Sequence, residues 1–273
     1  MKKRILIAVK TYPTLSEKYN ELVCTAGFLD DGSWIRIYPI QFRQLNFEQQ
    51  YSKWSYIEVD VEKNLSDYRV ESYRPIDIAE NLKIVGKLGT ENGWAARKEI
   101  VLKNMSTNLA DLIQRVKDEN ISLAVYKPAE IIDFVWESQS REWDKKKLDK
   151  VKANLSQRSL FEEKEAVTNL FKVVKKLPYK FSYRFLDQDG SKHKLMIEDW
   201  EVGALYWKCI NNGDTEETAC QKVKNKFFDD FLKKDLYFLL GTTLEHGKSK
   251  SPFIIIGAFY PPKRTSKQPS LFD

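Results

Sequence analysis

Histidine and cysteine are scarce in this chain of 273 residues, which contains two histidines and three cysteines. The cysteines, Cys24, Cys209 and Cys220, are widely spaced and form no Cys-x-x-Cys pair. The sequence therefore predicts neither a disulfide framework nor a zinc finger. With only two histidines, a site that uses histidine for acid–base catalysis or metal binding is not expected, and no resident metal is predicted.

Long apolar runs and the common phosphate-binding motifs are missing as well. No apolar stretch approaches 18 residues, so neither a membrane-spanning helix nor a membrane partner is expected. The apolar segment 5–9 behind the basic start is too short for a secretory signal, which favours a cytoplasmic protein. No Walker A, Gly-x-Gly-x-x-Gly or Gly-x-Ser-x-Gly sequence occurs. P-loop NTPases, dinucleotide oxidoreductases and serine hydrolases are therefore disfavoured, and no cofactor is predicted.

The composition is that of a globular protein with extra charge, since 42% of the residues are hydrophobic, 31% charged and 13% aromatic. The length fits one large domain or two small ones. The formal net charge of +6 permits an anionic partner without requiring one.

Hydrophobic patterning and turn residues predict an α+β fold. Alternating Ile57, Val59 and Val61 indicate a half-buried strand in the first half, and Pro261-Pro262 marks the end of the fold. The predicted parts are a β-rich, barrel-like part over 1–140, a charged helical connector over 141–176, a C-terminal mixed sheet with helices over 177–262, and a disordered tail over 263–273.

Polar and aromatic residues in the first part indicate nucleic-acid binding. In the strand over 33–40, Trp34, Arg36 and Tyr38 alternate with aliphatic residues and so share one face. Aromatic rings stack on bases and arginines hold phosphates, so these three residues form a candidate nucleic-acid surface with Lys10 and Arg43. The alternative is a sandwich in which the aromatic residues are core and the arginines are solvated.

The segments Lys10-Thr11-Tyr12-Pro13, Cys24-Thr25-Ala26-Gly27 and 32–43 resemble an uncharacterised bacterial family. Their short strands and hairpins are also similar to small β-barrel readers of RNA and DNA of the PUA, ASCH and EVE type. This resemblance implies a barrel and a nucleic-acid partner, DNA or RNA.

The connector contains a basic helix that is a second candidate for phosphate contact. Lys145, Lys146 and Lys147 would lie along a nucleic-acid backbone if the helix bound one. The interleaved Asp144 and Asp149 favour the alternative, an ordinary solvated helix face.

The tail ends Lys267-Gln268-Pro269-Ser270-Leu271-Phe272-Asp273. This sequence resembles the bacterial sliding-clamp-binding peptide, which has Gln, two variable residues and Leu-Phe. The resemblance implies that Leu271 and Phe272 fill an apolar pocket of the clamp while Gln268 makes an orienting hydrogen bond. The alternative is that Leu271 and Phe272 pack on their own domain. A second copy, over 157–161, is expected to anchor an interhelical loop.

The best catalytic candidates are His193, Asp199 and Glu201. The carboxylates follow a predicted strand at its junction with a helix, where they would hold a divalent metal or act as a general base. The alternative is structural, with Asp199 as the N-cap and Glu201 in the first turn of the helix.

These features predict a DNA-associated accessory protein, acting in replication, repair or phage defence, that the sliding clamp recruits and that binds nucleic acid. The alternatives are an enzyme that modifies or hydrolyses a nucleic acid or nucleotide, and a protein-interaction subunit. A continuous basic stripe joining Arg36, Arg43 and the 145–152 helix would favour the binding protein. Buried carboxylates with shifted pKa values at Asp199 and Glu201 would favour the enzyme.

Overall fold

The computed structural model describes residues 1–159, 174–247 and 249–263, with the backbone alone at 154–159. The fold is α+β, as predicted: a closed β-barrel is followed by two smaller sheets and their helices. The strands are β1 (Lys2–Lys10), β2 (Thr14–Ser16), β3 (Asn20–Phe28), β4 (Trp34–Ile40), β5 (Ser55–Lys63), β6 (Ser72–Pro75), β7 (Lys83–Lys87), β8 (Met105–Ser106), β9 (Leu123–Tyr126), β10 (Glu130–Ser138), β11 (Tyr179–Leu186), β12 (Lys192–Met196), β13 (Tyr237–Thr242) and β14 (Phe253–Phe259). The helices are α1 (Ile78–Asn81), α2 (Glu91–Val101), α3 (Leu109–Glu119), α4 (Lys145–Ser159), α5 (Trp200–Asn211) and α6 (Glu216–Lys224), and a π-helical turn, Asn225–Asp230, follows α6.

The barrel closes because its first and last strands pair. Its order is β1-β3-β4-β6-β5, and β1 also pairs antiparallel with β5. β7 extends the sheet beside β5, and β2 pairs with β3. Alternation along each strand directs branched aliphatic side chains into one buried cluster, which fills the barrel. Its members include Ile5, Ile7, Ile35, Ile37, Ile57, Val59 and Val61.

A second sheet, in the order β14-β13-β9-β8, covers the outer face of the barrel. Leu6 and Phe28 of the barrel belong to the same buried cluster as Leu239 and Phe259 of this sheet. Strands β1 and β3 are therefore buried on both faces, which matches the continuous burial of Ile5–Val9 and the nearly continuous burial of β3.

The third sheet, β10-β11-β12, packs with α3, α5 and α6 around an aromatic core. Phe134, Phe181 and Tyr183 are buried there, and the rings of Phe134 and Tyr183 meet edge to face at 4.8 Å. Aromatic pairs of this kind add specificity beyond the area they bury.

The strand pairing divides the chain differently from the predicted parts. β9 pairs with β13 and β10 pairs with β11, so residues 105–138 belong to sheets that C-terminal strands complete. The sequence analysis placed them in the part over 1–140. Pairing between strands so far apart in the chain leaves no local pattern, and this is why periodicity did not indicate it.

The connector begins with the predicted charged helix, α4. Leu148 and Val151 of α4, together with Trp143 just before the helix, pack against Leu15 of β2. The second half of the connector and the tail over 264–273, predicted to be disordered, lie outside the described residues. Among the described helices none is long and apolar enough to cross a membrane.

Candidate functional site

The end of β1 meets the start of α5 at one end of the barrel. Thr11 forms an isolated bridge with Asp199, and the amide of Tyr12 donates to the carbonyl of Glu198 at 3.0 Å. Asp199 is the N-cap of α5 and accepts a hydrogen bond from the amide of Glu201 at 2.9 Å. The cap stabilises the helix start and fixes the orientation of the Asp199 carboxylate.

Lys53, in the loop before β5, reaches both carboxylates. Its ammonium lies 2.6 Å from Asp199 Oδ2 and 3.3 Å from Glu201 Oε2. The Lys53 side chain is 9% exposed and that of Asp199 is 1% exposed, whereas Glu201 is at the surface. Burial opposes the charge of Lys53, but the two carboxylates outweigh it and raise the pKa of Lys53. Burial raises the pKa of Asp199, and Lys53 opposes that shift.

A second lysine, Lys10 at the end of β1, lies beside this pair. Its ammonium is 3.9 Å from the ring centroid of Phe42 and 4.4 Å from that of Trp200, and it donates to the carbonyl of Tyr51. Burial and then the charge of Lys53 lower the pKa of Lys10 to about 8, although Asp199 and Glu201 oppose the shift. A substantial fraction of Lys10 is therefore a neutral amine just above neutral pH, unlike an ordinary lysine.

Aromatic rings enclose the Lys10 ammonium. Phe42 and Trp200 meet edge to face at 5.3 Å, and Phe42 contacts Tyr51 in the same way at 4.9 Å. Tyr12 packs against α5 at Gly203, where a Cβ atom would lie 2.1 Å from the tyrosine ring. Gly203 is therefore the residue that lets Tyr12 lie against the helix.

These four charged groups are suited to proton transfer rather than to holding a cation. Lys10 and Lys53 balance Asp199 and Glu201, and the two oxygens of Asp199 are bound by Lys53 and by a backbone amide. A divalent metal would have to displace the Lys53 ammonium from the carboxylates. The residues present thus do not fit the metal site considered from sequence.

A cleft of about 250 Å³ adjoins Asp199. Aromatic and apolar side chains form most of its lining, and Lys176, Lys180 and Gln139 supply polar groups. Glu198 also lines the cleft, and burial raises its pKa while Lys180 opposes the shift. The principal apolar lining residues are Tyr12, Trp143, Leu177, Tyr179, Phe181 and Met196.

Of the predicted catalytic residues, the structure brings Asp199 and Glu201 together and leaves His193 apart. His193 lies in β12 beside Phe185, with Nε2 at 3.9 Å from Asp187 Oδ2. Six residues of nearly extended chain separate it from Asp199, a span of roughly 20 Å. The predicted grouping of all three residues is therefore wrong. His193 lies near the start of β12 and Asp199 lies beyond its end, so the extended strand holds the two side chains apart. The structural alternative for Asp199, the helix cap, is confirmed.

The strand face on β4 that was predicted to bind nucleic acid is largely covered in the structure. Arg36 is 4% exposed and donates to Cys24 Sγ at 3.0 Å and to the carbonyl of Ser122 at 3.2 Å. Trp34 packs on Phe28 with ring centroids 4.0 Å apart. The cause is the second sheet, which covers the barrel face that an isolated β4 would expose.

The remaining predicted nucleic-acid residues have different surroundings. Tyr38 is partly buried, and burial raises its pKa. Arg43 is exposed and forms an ion pair with Glu21 at 2.7 Å. The helix lysines Lys145, Lys146 and Lys147 are exposed at the start of α4. The tail residues Gln268, Leu271 and Phe272 lie outside the described residues.

Sequence reasoning placed Lys10 on a nucleic-acid surface, missed its role beside a charged cluster, and missed Lys53 altogether. Lys53 stands between Ser52 and Trp54 in a loop, and no local pattern distinguishes it from a solvated lysine. Trp54 gives the only signal, since a large aromatic residue directly after a loop lysine predicts that this part of the loop is buried. Only the tertiary structure shows that Lys53 meets Asp199.

Comparison with known families divides the chain at the boundary between α2 and β8. Residues 1–103 match the family described as Domain of unknown function (DUF8758), and 104–273 match the Domain of unknown function (DUF8757). No curated protein matches the chain. Lys10 and Lys53 lie in the first matched region and Asp199 and Glu201 in the second, so the charged cluster is assembled across both. Since the second match covers more than half of its length, the chain belongs to the DUF8757 family.

Proposed function

We propose that this protein is an enzyme that acts on a nucleic acid or a nucleotide, with the Lys10 amine as its general base. The observation that carries the proposal is the position of Lys10 between Phe42 and Trp200, next to the charge of Lys53. A lysine is a useful base near neutral pH only when burial and a neighbouring cation lower its pKa. Both conditions are met at this position.

The arrangement of charge favours an enzyme over a pure binding protein. A reader of nucleic acid was expected to have a basic stripe from Arg36 and Arg43 to α4. Arg36 is buried and Arg43 is paired with Glu21, so the described surface has no such continuous stripe at these residues. Asp199 is buried with a raised pKa, which meets the expectation for an enzyme at one of the two carboxylates, while Glu201 is at the surface.

Each charged group has a distinct part in the proposed chemistry. In the hydrolysis of a phosphate ester, the neutral Lys10 amine accepts a proton from water as the water oxygen bonds to phosphorus. The P–O bond to the leaving alcohol breaks, and the alkoxide takes up a proton from solvent. Lys53 stays protonated because it is paired with Asp199. Its positive charge lowers the pKa of Lys10 and so favours the neutral amine that accepts the proton. Glu201, at the surface end of the cluster, is positioned to return the proton to solvent.

The surroundings support a nucleic acid or nucleotide as the substrate. Trp200 and Tyr12 are partly exposed aromatic residues, and Lys176 and Lys180 border the adjoining cleft. Aromatic faces stack on bases, and lysines attract phosphate. The net charge of +6 has the sign that such a substrate needs.

The tail supports recruitment by the sliding clamp as part of the same proposal. Gln268, Leu271 and Phe272 follow a polar stretch after the end of the fold, as a docking peptide requires. Clamp binding would bring the enzyme to DNA without contributing to its chemistry. Affinity should be modest, about micromolar, because the tail is predicted from sequence to be disordered and would lose conformational entropy on binding.

The enzymatic proposal is tested with a panel of labelled single- and double-stranded DNA and RNA oligonucleotides and the common nucleotides, resolved by denaturing gel and mass spectrometry. We expect at least one substrate to be converted and Lys10→Met to reduce the rate by about 100-fold or more. The matched control is Lys83→Met, which removes an exposed lysine of β7 and should leave the rate unchanged. A panel with no product, or a Lys10→Met protein as active as the parent, contradicts the proposal.

Recruitment is tested by surface plasmon resonance on an immobilised bacterial sliding clamp. We expect the full chain to bind and the Leu271→Ala/Phe272→Ala double variant to lose binding. The control is Phe47→Ala/Leu65→Ala, which removes the same residue types from positions that are 90% and 94% exposed. If the tail variant binds the clamp as well as the parent does, the tail is not needed and the proposal is wrong. If both double variants lose binding equally, general apolar exposure rather than the tail attracts the clamp.

A further inference from the structure

The cleft beside Asp199 is a built cavity that the proposed chemistry does not use. It has an aromatic lining, one carboxyl group, and two lysines at its border. We propose that this cleft binds a guanine base, whose Watson–Crick edge is held by Glu198 and whose ring packs against Tyr12 and Trp143. The inference rests on the proposed function, because it names the base that the enzyme recognises in its substrate.

Glu198 follows the end of β12 and borders the cleft. Leu195 and Ile197 are buried in the aromatic core, whereas Met196 and Glu198 are partly exposed. Ile197 also contributes to the cleft lining. Met196 and Glu198 both line the cleft. In the described part of the chain the Glu198 carboxyl group has no hydrogen-bond partner, whereas its backbone amide donates to Ile255 and its carbonyl accepts from Tyr12.

The Glu198 side chain is partly exposed at the cleft, so its carboxyl oxygens can accept hydrogen bonds from a ligand there. The groups facing Glu198 are Lys180 of β11, Lys176, Tyr12 and Asp199, whose own carboxylate is bound by Lys53. None of these hydrogen-bonds to the Glu198 carboxyl group. Its acceptor capacity is therefore available to a molecule in the cleft.

A carboxylate in an aromatic cleft can bind an organic ammonium ion or a nucleobase, and the two lysines distinguish these ligand classes. An organic ammonium ion would be attracted by Glu198 but repelled by Lys176 and Lys180. A base that bears a phosphate satisfies both, since the base donates to Glu198 and the phosphate binds the lysines. The charges of the cleft thus favour a nucleotide unit.

Lys180 opposes the rise in the pKa of Glu198 and so favours its ionised form, which guanine matches best among the four bases. The Watson–Crick edge of guanine presents two adjacent N–H donors, which a carboxylate accepts as a pair of parallel hydrogen bonds. Adenine and cytosine present one donor beside one acceptor and match only a protonated carboxyl group. A uracil edge places its donor between two carbonyl groups, which a carboxylate repels.

The size of the cleft fits one base. At about 250 Å³ it falls just below the usual range of roughly 300–1,000 Å³ for drug-sized ligands. A planar ring system occupies such a space with the sugar and phosphate outside. Because a base in a duplex has its edge paired, the ligand is a free nucleotide or an unpaired guanine of a single strand.

The test is isothermal titration calorimetry of the full chain with GMP, AMP, CMP and UMP. We expect GMP to bind about tenfold or more tightly than the others, as a good bidentate contact to a base provides. Glu198→Gln should remove this preference, because an amide presents a donor to one of the two guanine donors. The control Glu137→Gln changes an exposed glutamate of β10 in the same sheet and should preserve GMP binding. Equal affinity for the four nucleotides, or GMP binding unchanged by Glu198→Gln, overturns the inference.

A second titration distinguishes the source of the base. An oligo-dT strand with one dG at its centre is compared with oligo-dT alone and with GMP. Preference for the dG strand assigns the cleft to single-stranded nucleic acid, and preference for GMP assigns it to the free nucleotide. Lys10→Met should bind both ligands like the parent. If Lys10→Met loses turnover but still binds both ligands, the result tests only the catalytic role of Lys10. If the parent turns over substrate without preferring guanine, only the assignment of the cleft to guanine is wrong.

Discussion

The ammonium of Lys53 lies 2.6 Å from Oδ2 of Asp199, and this ion pair joins the loop before β5 to the N-cap residue of α5. The two side chains come from the two matched families, and both are almost completely buried. The pair therefore does two things at once. It ties the barrel to the C-terminal sheets, and it fixes a positive charge next to Lys10.

Removing one charge of this pair should be costly. We expect Asp199→Asn to lower the free energy of unfolding by about 3–5 kcal/mol, because Lys53 remains as a buried charge that only Glu201 partly compensates. Asparagine is an equally good N-cap, so the loss would report the charge rather than the cap. Urea denaturation at pH 7 measures it. The exposed pair of Lys194 and Glu137 is the control, and Glu137→Gln should leave the free energy of unfolding nearly unchanged. Similar losses in both variants would show that the buried pair contributes nothing special.

The sequence predicted the parts of the fold that depend on local pattern. Alternating Ile57, Val59 and Val61 correctly indicated a strand facing a core, and the barrel interior is built from such residues. Trp34 and Arg36 were assigned correctly to one strand face but wrongly to solvent. Periodicity shows that two faces differ, but it does not show which of them a distant sheet covers.

The candidate site shows the same limit. Asp199 was found because an acidic residue at a strand–helix junction has a recognisable pattern. Lys53 was missed because a loop lysine has none, and its partner is 146 residues away in the chain. His193 was included only because it is close in sequence to Asp199. Residues that act together across a fold are thus predicted from sequence only when each has a local signal of its own.

Replacing Lys10 should stabilise the protein while abolishing its activity. A shift of the Lys10 pKa from 10.5 to about 8 means that the folded state resists protonation. Between these values the unfolded chain binds more protons, so stability rises with pH from about 8 to 10.5 and is reduced below that window. Lys10→Met removes this cost, and we expect a gain of about 1–2 kcal/mol at pH 7 after allowance for solvent screening.

The measurement is urea denaturation of parent and Lys10→Met at pH 7 and pH 10.5. The gain should be present at pH 7 and nearly absent at pH 10.5, since the parent lysine is largely neutral there in the folded state. A lysine with a purely structural role would give the reverse, a loss of stability at pH 7 from its contacts with Phe42 and Trp200.

The rate of the proposed reaction should rise with pH and level off above about pH 8. The general base must be neutral, and the pKa of Lys10 sets where that occurs. Lys53→Met removes the neighbouring positive charge, so the pKa of Lys10 should rise and the rate profile should move to higher pH. Initial rates from pH 6 to 10 give both profiles. An unchanged profile in Lys53→Met would exclude Lys10 as the titrating group.

Tyr12 should depend on the absence of a side chain at residue 203. A Cβ atom there would lie 2.1 Å from the Tyr12 ring, so Gly203→Ala must displace the ring from α5. We expect a loss of about 1–3 kcal/mol, as for other overpacked sites, even though alanine favours helices. The control is Gly86→Ala, where no atom lies within 4 Å of the added Cβ. Thermal denaturation of both variants, with GMP titration of Gly203→Ala, shows whether Tyr12 also forms the wall of the cleft.

Glu198 and Glu216 should respond to pH in opposite directions, because their surroundings shift the two pKa values oppositely. Burial raises the pKa of Glu198 above 4.5, so the folded state keeps this proton at pH values where the unfolded chain has lost it. Stability is therefore lost as pH rises through the window above 4.5, and Glu198→Gln should stabilise the protein at pH 7 but not at pH 4. Hydrogen bonds from Arg141 and Tyr179 lower the pKa of Glu216 to about 2. The contribution of Glu216 to stability is complete above pH 4.5 and is lost as the pH falls towards 2, so Glu216→Gln should destabilise the protein at pH 7.

Urea denaturation from pH 4 to 7 compares the two variants with the parent. If GMP is then added at pH 7, the parent should gain stability and Glu198→Gln should not, because the ligand supplies the donors that the buried carboxylate lacks.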